Sequence, residues 1–215
     1  MIRLITFEGG DGTGKTTQIR ALEKYLHQQH RRPCLVTREP GGTALGKQIR
    51  KVLLEVGDNE VASSTELFLY LADRSQHVHE TILPAINAGK IVLCDRFTDS
   101  TLAYQGYGRG IDIKWLRQLN DAASGSVRPD LTFLLDCPVD IGLARAVRRQ
   151  AQAVNGRVRE DRFEREKIEF HEKVRAGFLE LAQNEPLRFR VIDAAKPVEV
   201  IAAEIRRILD RELVA

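Results

Sequence analysis

The chain is poor in several things, and each scarcity removes a class of protein. Its 215 residues include three cysteines, one tryptophan and one methionine, and aromatics make up only 6%. Cys34, Cys94 and Cys137 are odd in number, far apart and each set in an apolar, strand-like stretch. They read as buried reduced thiols and suggest neither a disulfide framework nor a zinc knuckle. No run approaches the ~18 consecutive apolar residues of a membrane-spanning helix. At the N-terminus, Arg3 and Glu8 bracket an apolar run too short for a signal peptide. There is no large excess of one charge either. Thirty-three Lys plus Arg stand against 30 Asp plus Glu, and a net +3 is too small to argue for nucleic-acid binding. Internal repeats, low-complexity tracts and Pro/Ser linkers are missing. The 43% hydrophobic and 29% charged fractions exclude disordered and fibrous classes. A chain of this length can bury a core without metal or disulfide staples. The expectation is one domain over residues 1–215, cytoplasmic, with no membrane or nucleic-acid partner.

What is present is a regular alternation. Residues 2–7, 33–37, 90–94, 131–136 and 189–193 are short runs rich in Ile, Val, Leu or Phe and predict five buried strands. Between them the period becomes helical. Ile19, Leu22 and Leu26 share one face, as do Val198, Ile201, Ile205 and Ile208. Such alternation predicts an α/β fold, a mainly parallel five-stranded sheet with helices on both faces. Residues 146–160 stand apart, with few large apolar side chains, several Arg and an Asn155-Gly156 turn signal, and read as an insertion between two helices. Between Arg145 and Arg159 there are five Arg and no acid. That local +5 within a total of +3 leaves the remaining residues at −2, so the basicity is concentrated in this segment.

The segment Gly9-Gly10-Asp11-Gly12-Thr13-Gly14-Lys15-Thr16 fits G-x-x-x-x-G-K-[ST] completely, after an apolar strand and before an amphipathic helix. Glycines let successive N–H groups turn inward toward phosphate oxygens, and the helix start adds its positive dipole end. Lys15 can reach β- and γ-phosphates, and the Thr16 hydroxyl can ligate Mg²⁺. The loop predicts a nucleoside triphosphate site. No Asn-Lys-x-Asp motif is present, which argues against a GTPase. Neither strand-end carboxylate, Asp95 or Asp136, is followed by Glu, which argues against a motor ATPase.

Three more clusters fit an acceptor site. Thr37-Arg38-Glu39-Pro40-Gly41-Gly42-Thr43 is a charged Gly/Pro turn directly after the second strand, where ligands bind in parallel sheets; the alternative is an ordinary solvated turn. Tyr70 and Arg74 lie four apart on a helical segment, an aromatic and a guanidinium on one face, although Tyr70 alone also suits a core or an interface. The run from Asp95 through Arg96, Phe97, Thr98, Asp99, Ser100, Thr101, Leu102, Ala103 and Tyr104 to Gln105 places a charge pair at the end of an apolar strand. An anion over the phosphate loop would explain it.

Together these motifs resemble the bacterial thymidylate kinases, and Asp95–Gln105 fits that family's signature without a mismatch. The phosphate loop, the Thr37–Thr43 turn, Tyr70/Arg74 and Asp161-Arg162-Phe163-Glu164 fall in the family's order along essentially the whole chain. The resemblance implies a three-layer P-loop kinase fold with an Arg-rich lid near 146–160, phosphorylation of dTMP to dTDP by ATP and Mg²⁺, and a homodimer. It implies that Asp11 helps hold the acceptor sugar and metal region, that Thr16 and Asp95 serve the metal, and that Arg38 and Arg96 take the acceptor phosphate, with Glu39 and Pro40 in the same turn. Tyr70 is implied to stack on thymine and Arg74 to read its O4. Ser100 or Thr101 and Gln105 are implied to lie along the base edge, with Tyr104 against the sugar C2′ and Glu164 on the sugar or metal side. Some members carry a catalytic Arg in the phosphate loop where this chain has Gly12. Members without it supply Arg from the lid, where this chain has Arg145, Arg148, Arg149, Arg157 and Arg159. Arg149, Arg157 and Arg159 therefore join Lys15, Arg96 and Asp11 as candidate catalytic groups.

The remaining signals are weaker. His77 and His79 are predicted to point to different helix faces, and His27 and His30 lack a carboxylate or Cys partner, so no metal site built from protein ligands is expected. Residues 105–110, rich in Gly, are predicted to form a flexible loop beside the acceptor site. The helix predicted near residues 65–86 has apolar residues on more than one face, one of them suited to a subunit interface. The competing functions are a kinase for another pyrimidine nucleotide or a deoxynucleoside and, from a different class, a P-loop ATPase that switches a protein partner.

Overall fold

The computed structural model describes residues 2–54, 61–152, 163 and 166–214. Five strands form, each within two residues of its predicted start: β1 (Leu4–Glu8), β2 (Cys34–Arg38), β3 (Ile91–Asp95), β4 (Leu131–Asp136) and β5 (Phe189–Asp193). They pair in the order β2-β3-β1-β4-β5, every pair parallel. The central strands are buried almost throughout because both faces are covered, whereas the edge strands β2 and β5 keep exposed positions. β1 is central, and the chain builds outward from it on both sides. The carboxyl end of β1 therefore lies at the switch point where open α/β sheets bind ligands.

One face of the sheet is covered by α1 (Lys15–Gln29) and α9 (Val198–Val214). Ile5 and Phe7 of β1 pack there with Ile19, Leu22 and Leu26, and with Ile201, Ile205 and Leu209. The predicted α1 stripe is the buried one. In α9, Leu209 joins the buried stripe, whereas Val198, at the first turn, is 47% exposed. The other face carries α2 (Ala44–Leu54), α3 (Ser63–His77), α4 (Leu83–Asn87), α5 (Thr98–Thr101), α6 (Ile113–Ser124) and α8 (Ile168–Asn184). α7 (Val139–Gln152) follows β4 and crosses the phosphate loop, carrying the chain through the first residues of the expected lid. Cys94 and Cys137 are buried, Cys34 is half-buried, and all three are free.

The helix expected around 65–86 forms, running without a break from α3 through a wider π-type turn, Val78–Ile82, into α4. The loop expected at residues 105–110 is instead mostly packed helix: Leu102–Gly108 winds as a π-type coil with Gln105 1% exposed. Its glycines permit contact and do not supply flexibility. A Cβ on Gly106 would sit 2.3 Å from Ile113 Cδ1, and one on Gly108 would sit 2.6 Å from the Phe170 ring.

Candidate active site

The phosphate loop is shaped by its neighbours. Gly9 and Gly12 have φ of 132° and 73°, and a Cβ on them would meet Leu135 O at 2.3 Å and Gly142 O at 1.9 Å. β4 and α7 thus leave backbone room only. α1 begins at Lys15 with no side-chain cap and no acid in its first turn, so its N–H groups face the loop unanswered by a carboxylate. Lys15 Nζ donates to Gly9 O at 3.1 Å and Gly10 O at 2.7 Å. Burial, with Arg96 nearby, pushes its pKa down to about 8.

Arg96 joins this loop to the end of β3. Its φ of 68° is a left-handed conformation that costs a non-glycine residue on the order of 1 kcal/mol or more. Nη1 donates to Gly9 O at 2.9 Å and Ser100 Oγ at 3.2 Å, and Nη2 to Asp11 Oδ1 at 2.7 Å and the Tyr104 hydroxyl at 3.1 Å. The guanidinium also lies 5.0 Å from the Tyr104 ring centre. Burial opposes its charge, but Tyr104, Asp11, Asp95 and Glu8 outweigh it and raise its pKa. Asp11 is the counterpart: burial would raise its pKa, yet Arg96 and Lys15 hold the carboxyl below the usual range. Beneath them Glu8, fully buried, accepts from Phe97 N at 2.7 Å and Ser100 Oγ at 2.6 Å. Burial first, and Asp99 second, push its pKa up to about 8. Thr16 Oγ1 donates to Asp95 Oδ2 at 2.8 Å, so two hard oxygen ligands converge at the mouth of the loop.

A cavity of about 290 Å³ opens beside them, lined by Thr16, Asp95, Arg38, Gly41 and Gly42 among others. Arg38 is exposed there and has no side-chain partner among the described residues. Deeper in, Arg74 is 2% exposed and donates to Glu39, Thr101, Asn120 and Phe97 O. Tyr70 is half-buried, 6.5 Å from the Phe163 ring, which meets Tyr104 edge-on at 5.5 Å.

The family profile described as thymidylate kinase matches residues 7–205. The thymidylate kinase of Desulfovibrio desulfuricans is 53% identical over 209 residues, 97% of this chain and 95% of that protein. That of Geobacter sulfurreducens is 53% identical over 207 residues, 95% of each. The crystal structure of thymidylate kinase from Ehrlichia chaffeensis superposes with a TM-score of 0.75 at 35% identity, covering 96% of this chain and 98% of that one. The chain belongs to the thymidylate kinase family.

Within this thymidylate kinase fold the expected residues fall into three groups. Lys15, Thr16, Asp11, Asp95, Arg96, Ser100 and Tyr104 gather around the phosphate loop with Gly9–Gly14, and Arg38 faces them across the cavity. Arg74, Thr101, Glu39 and Gln105 are buried behind, bonded to protein partners; Gln105 Nε2 donates to Glu66 Oε1 at 2.9 Å. Pro40 follows Glu39 through a cis peptide, and its carbonyl accepts from Arg50 Nη1 at 3.1 Å. The third group belongs to the expected lid. Arg149 is exposed on α7, and Arg145 is turned away to donate to Ala194 O at 2.7 Å. Arg157, Arg159 and Glu164 lie outside the described residues.

Sequence reasoning missed Glu8, Asp73 and Phe163 as parts of the site. Glu8 carried a signal, since an acid closing an otherwise apolar strand directly before the loop needs a buried partner. Phe163 stood inside a quoted motif from which only the neighbouring acid was taken. Asp73 accepts from Gly41 N at 3.0 Å, and burial, then Glu39, push its pKa up to about 6. No local pattern distinguishes it from a surface acid.

Proposed function

We propose that this chain transfers the γ-phosphoryl group of ATP to dTMP, giving dTDP for dTTP synthesis, as a cytoplasmic homodimeric enzyme of one domain. The observation that carries this reading is Arg96, which reaches both the donor loop, at Gly9 O and Asp11, and the Ser100 and Tyr104 hydroxyls beyond it. A guanidinium so placed can bind the acceptor phosphate and the moving phosphoryl group together. Phosphoryl transfer asks the protein mainly for positioning and charge neutralisation.

The backbone N–H groups of Gly9–Thr16 and Lys15 take the ATP phosphates. Thr16 and Asp95 suit Mg²⁺, a cation that accepts one or two protein oxygens and takes its other ligands from phosphate and water. Held there, Mg²⁺ would supply positive charge that neutralises the charge developing on the phosphates. Arg38 takes the acceptor phosphate from the other side of the cavity, and Glu39 and Pro40 shape the turn that carries it. Tyr70 stacks on the thymine. Arg74 has five N–H donors and the four bonds above use four, which leaves one on Nη2 for the base O4. Ser100, Thr101 and Gln105 line the base edge, and Tyr104 with Asp11 meets the sugar, where a ribose 2′-hydroxyl would crowd the ring. The acceptor is already an anion, so no strong general base is required. Arg149, with Arg157 and Arg159, brings positive charge to the transferring group, and Glu164 serves the sugar or metal side. Closure of the Arg-rich segment excludes water that would otherwise hydrolyse ATP. Exposed Leu45 and Val52 of α2 and Phe68 of α3, 47%, 56% and 53% exposed, supply an apolar face for a second copy.

A coupled assay across dTMP, dUMP, UMP, CMP, AMP and thymidine tests the assignment. dTMP is expected to give the highest kcat/KM. A different leader would move the function to another pyrimidine nucleotide or a deoxynucleoside, and ATP hydrolysis indifferent to all six would favour the ATPase switch.

A further inference from the structure

His77 was considered above only as a metal ligand, and the structure gives it different work. It ends α3, is fully buried, and touches both neighbours of Arg38. Its Nε2 lies 2.6 Å from Thr37 Oγ1 and its Nδ1 lies 2.9 Å from Glu39 Oε1. A carboxylate only accepts, so the Nδ1 proton is donated to Glu39, and Nε2 is left for the threonine hydroxyl. The turn rests directly on the ring: a Cβ on Gly42 would be 2.4 Å from both His77 Cδ2 and Nε2.

Extended backbone makes this grip directional. β2 ends at Arg38, and Glu39 N continues the ladder by donating to Asp95 O at 3.0 Å. Successive side chains of extended chain leave on opposite sides. The Thr37 and Glu39 side chains are buried against His77, and Arg38, exposed, leaves on the other side and lines a cavity with Thr16, Asp95 and Thr37 itself. Glu39 is held a second time by Arg74 Nε at 2.8 Å, and Gly41 by Asp73. Arg38 has no side-chain partner of its own among the described residues, so its starting direction depends on its two neighbours.

We infer that His77 is a positioning residue for the acceptor phosphate, fixing through Thr37 and Glu39 the direction in which Arg38 enters the cavity. The inference rests on the reading of Arg38 as an acceptor-phosphate ligand. The test is steady-state kinetics on the full chain with His77→Gln, His77→Asn and Thr37→Val, alone and combined with Arg38→Ala. A misplacement of the order of 1 Å at a charged ligand costs up to about 100-fold, so KM for dTMP is expected to rise about 10- to 100-fold. KM for ATP should stay within about 2-fold, because the donor loop is untouched, and in the Arg38→Ala background the same changes should add almost nothing. Two outcomes overturn the inference. One is a lowered thermal midpoint with KM for dTMP unchanged, which marks His77 as structural only. The other is an equal cost with and without Arg38. If the His77 variants do not fold, Thr37→Val decides by the same two outcomes. A wild-type chain that fails to phosphorylate dTMP would instead sink the substrate assignment, which separates the two failures.

Discussion

Replacing Arg96 by alanine is the perturbation on which the site makes its sharpest demand. The side chain lost donates to Gly9 O, Asp11, Ser100 and the Tyr104 hydroxyl and covers the Tyr104 ring. The catalytic role proposed for it rests on its place between the loop and the Ser100 and Tyr104 hydroxyls. An arginine stabilising a phosphoryl-transfer transition state contributes about 10³–10⁵ in rate, or roughly 4–7 kcal/mol at 1.36 kcal/mol per tenfold. The structural cost should be much smaller. Asp11 keeps 20% of its side chain in water and Arg96 keeps 18%, so solvent can replace part of the lost pairing. A destabilisation of about 1–2 kcal/mol is a fair ceiling after that screening, and the left-handed backbone cost stays because alanine keeps the Cβ. Arg96→Lys tests geometry against charge, because an ammonium cannot reach four acceptors from one position. The assay is a coupled kcat/KM measurement beside thermal unfolding of the same samples. The expected result for Arg96→Ala is a loss of at least about 10³ in kcat/KM with the fold retained, and Arg96→Lys should recover less than a tenth of it. A folded Arg96→Ala enzyme within about tenfold of wild type would refute the reasoning.

Other perturbations test separate parts of the account. Glu8 holds its proton up to about pH 8 when folded but loses it near 4.5 when unfolded, so the native state binds the extra proton between those values and stability falls as pH rises through that window. Glu8→Gln should flatten the thermal midpoint between pH 5 and 8, and an unchanged slope would reject this origin. Installing an arginine in the phosphate loop by Gly12→Arg should fail to supply a catalytic group. Its Cβ would fall 1.9 Å from Gly142 O, so α7 must shift, at a cost of about 1–3 kcal/mol in denaturant titration; wild-type stability would contradict this. Arg188 pairs with Asp99, whose side chain is 2% exposed, through contacts at 2.7 and 3.0 Å. Arg188→Leu strands that carboxylate and should cost about 3–5 kcal/mol in denaturant titration, and a loss under about 1 kcal/mol would contradict this.

Local pattern carried the architecture. The strands were legible because a buried parallel strand is a short apolar run, and the phosphate loop because its glycines and Lys15 occupy fixed offsets. Pairing between distant polar residues was not legible. Arg74 takes its acceptors from Glu39, Phe97, Thr101 and Asn120, and His77 joins Thr37 to Glu39, on separate elements of the chain. Helical period assigns such residues to a face without naming what meets it. Gly106 and Gly108 misled for a related reason: a glycine chosen for close packing and one chosen for freedom look alike until the facing Ile113 and Phe170 are known.

The central claim is transfer of a phosphoryl group to dTMP, in contrast to its release into water. Incubating the enzyme with Mg²⁺, dTMP and ATP labelled in its γ-phosphate, then separating the products, tests it most directly. The account predicts one label in dTDP for each ADP formed, with label in inorganic phosphate near background. Label accumulating as inorganic phosphate, with dTMP present and unphosphorylated, would contradict it.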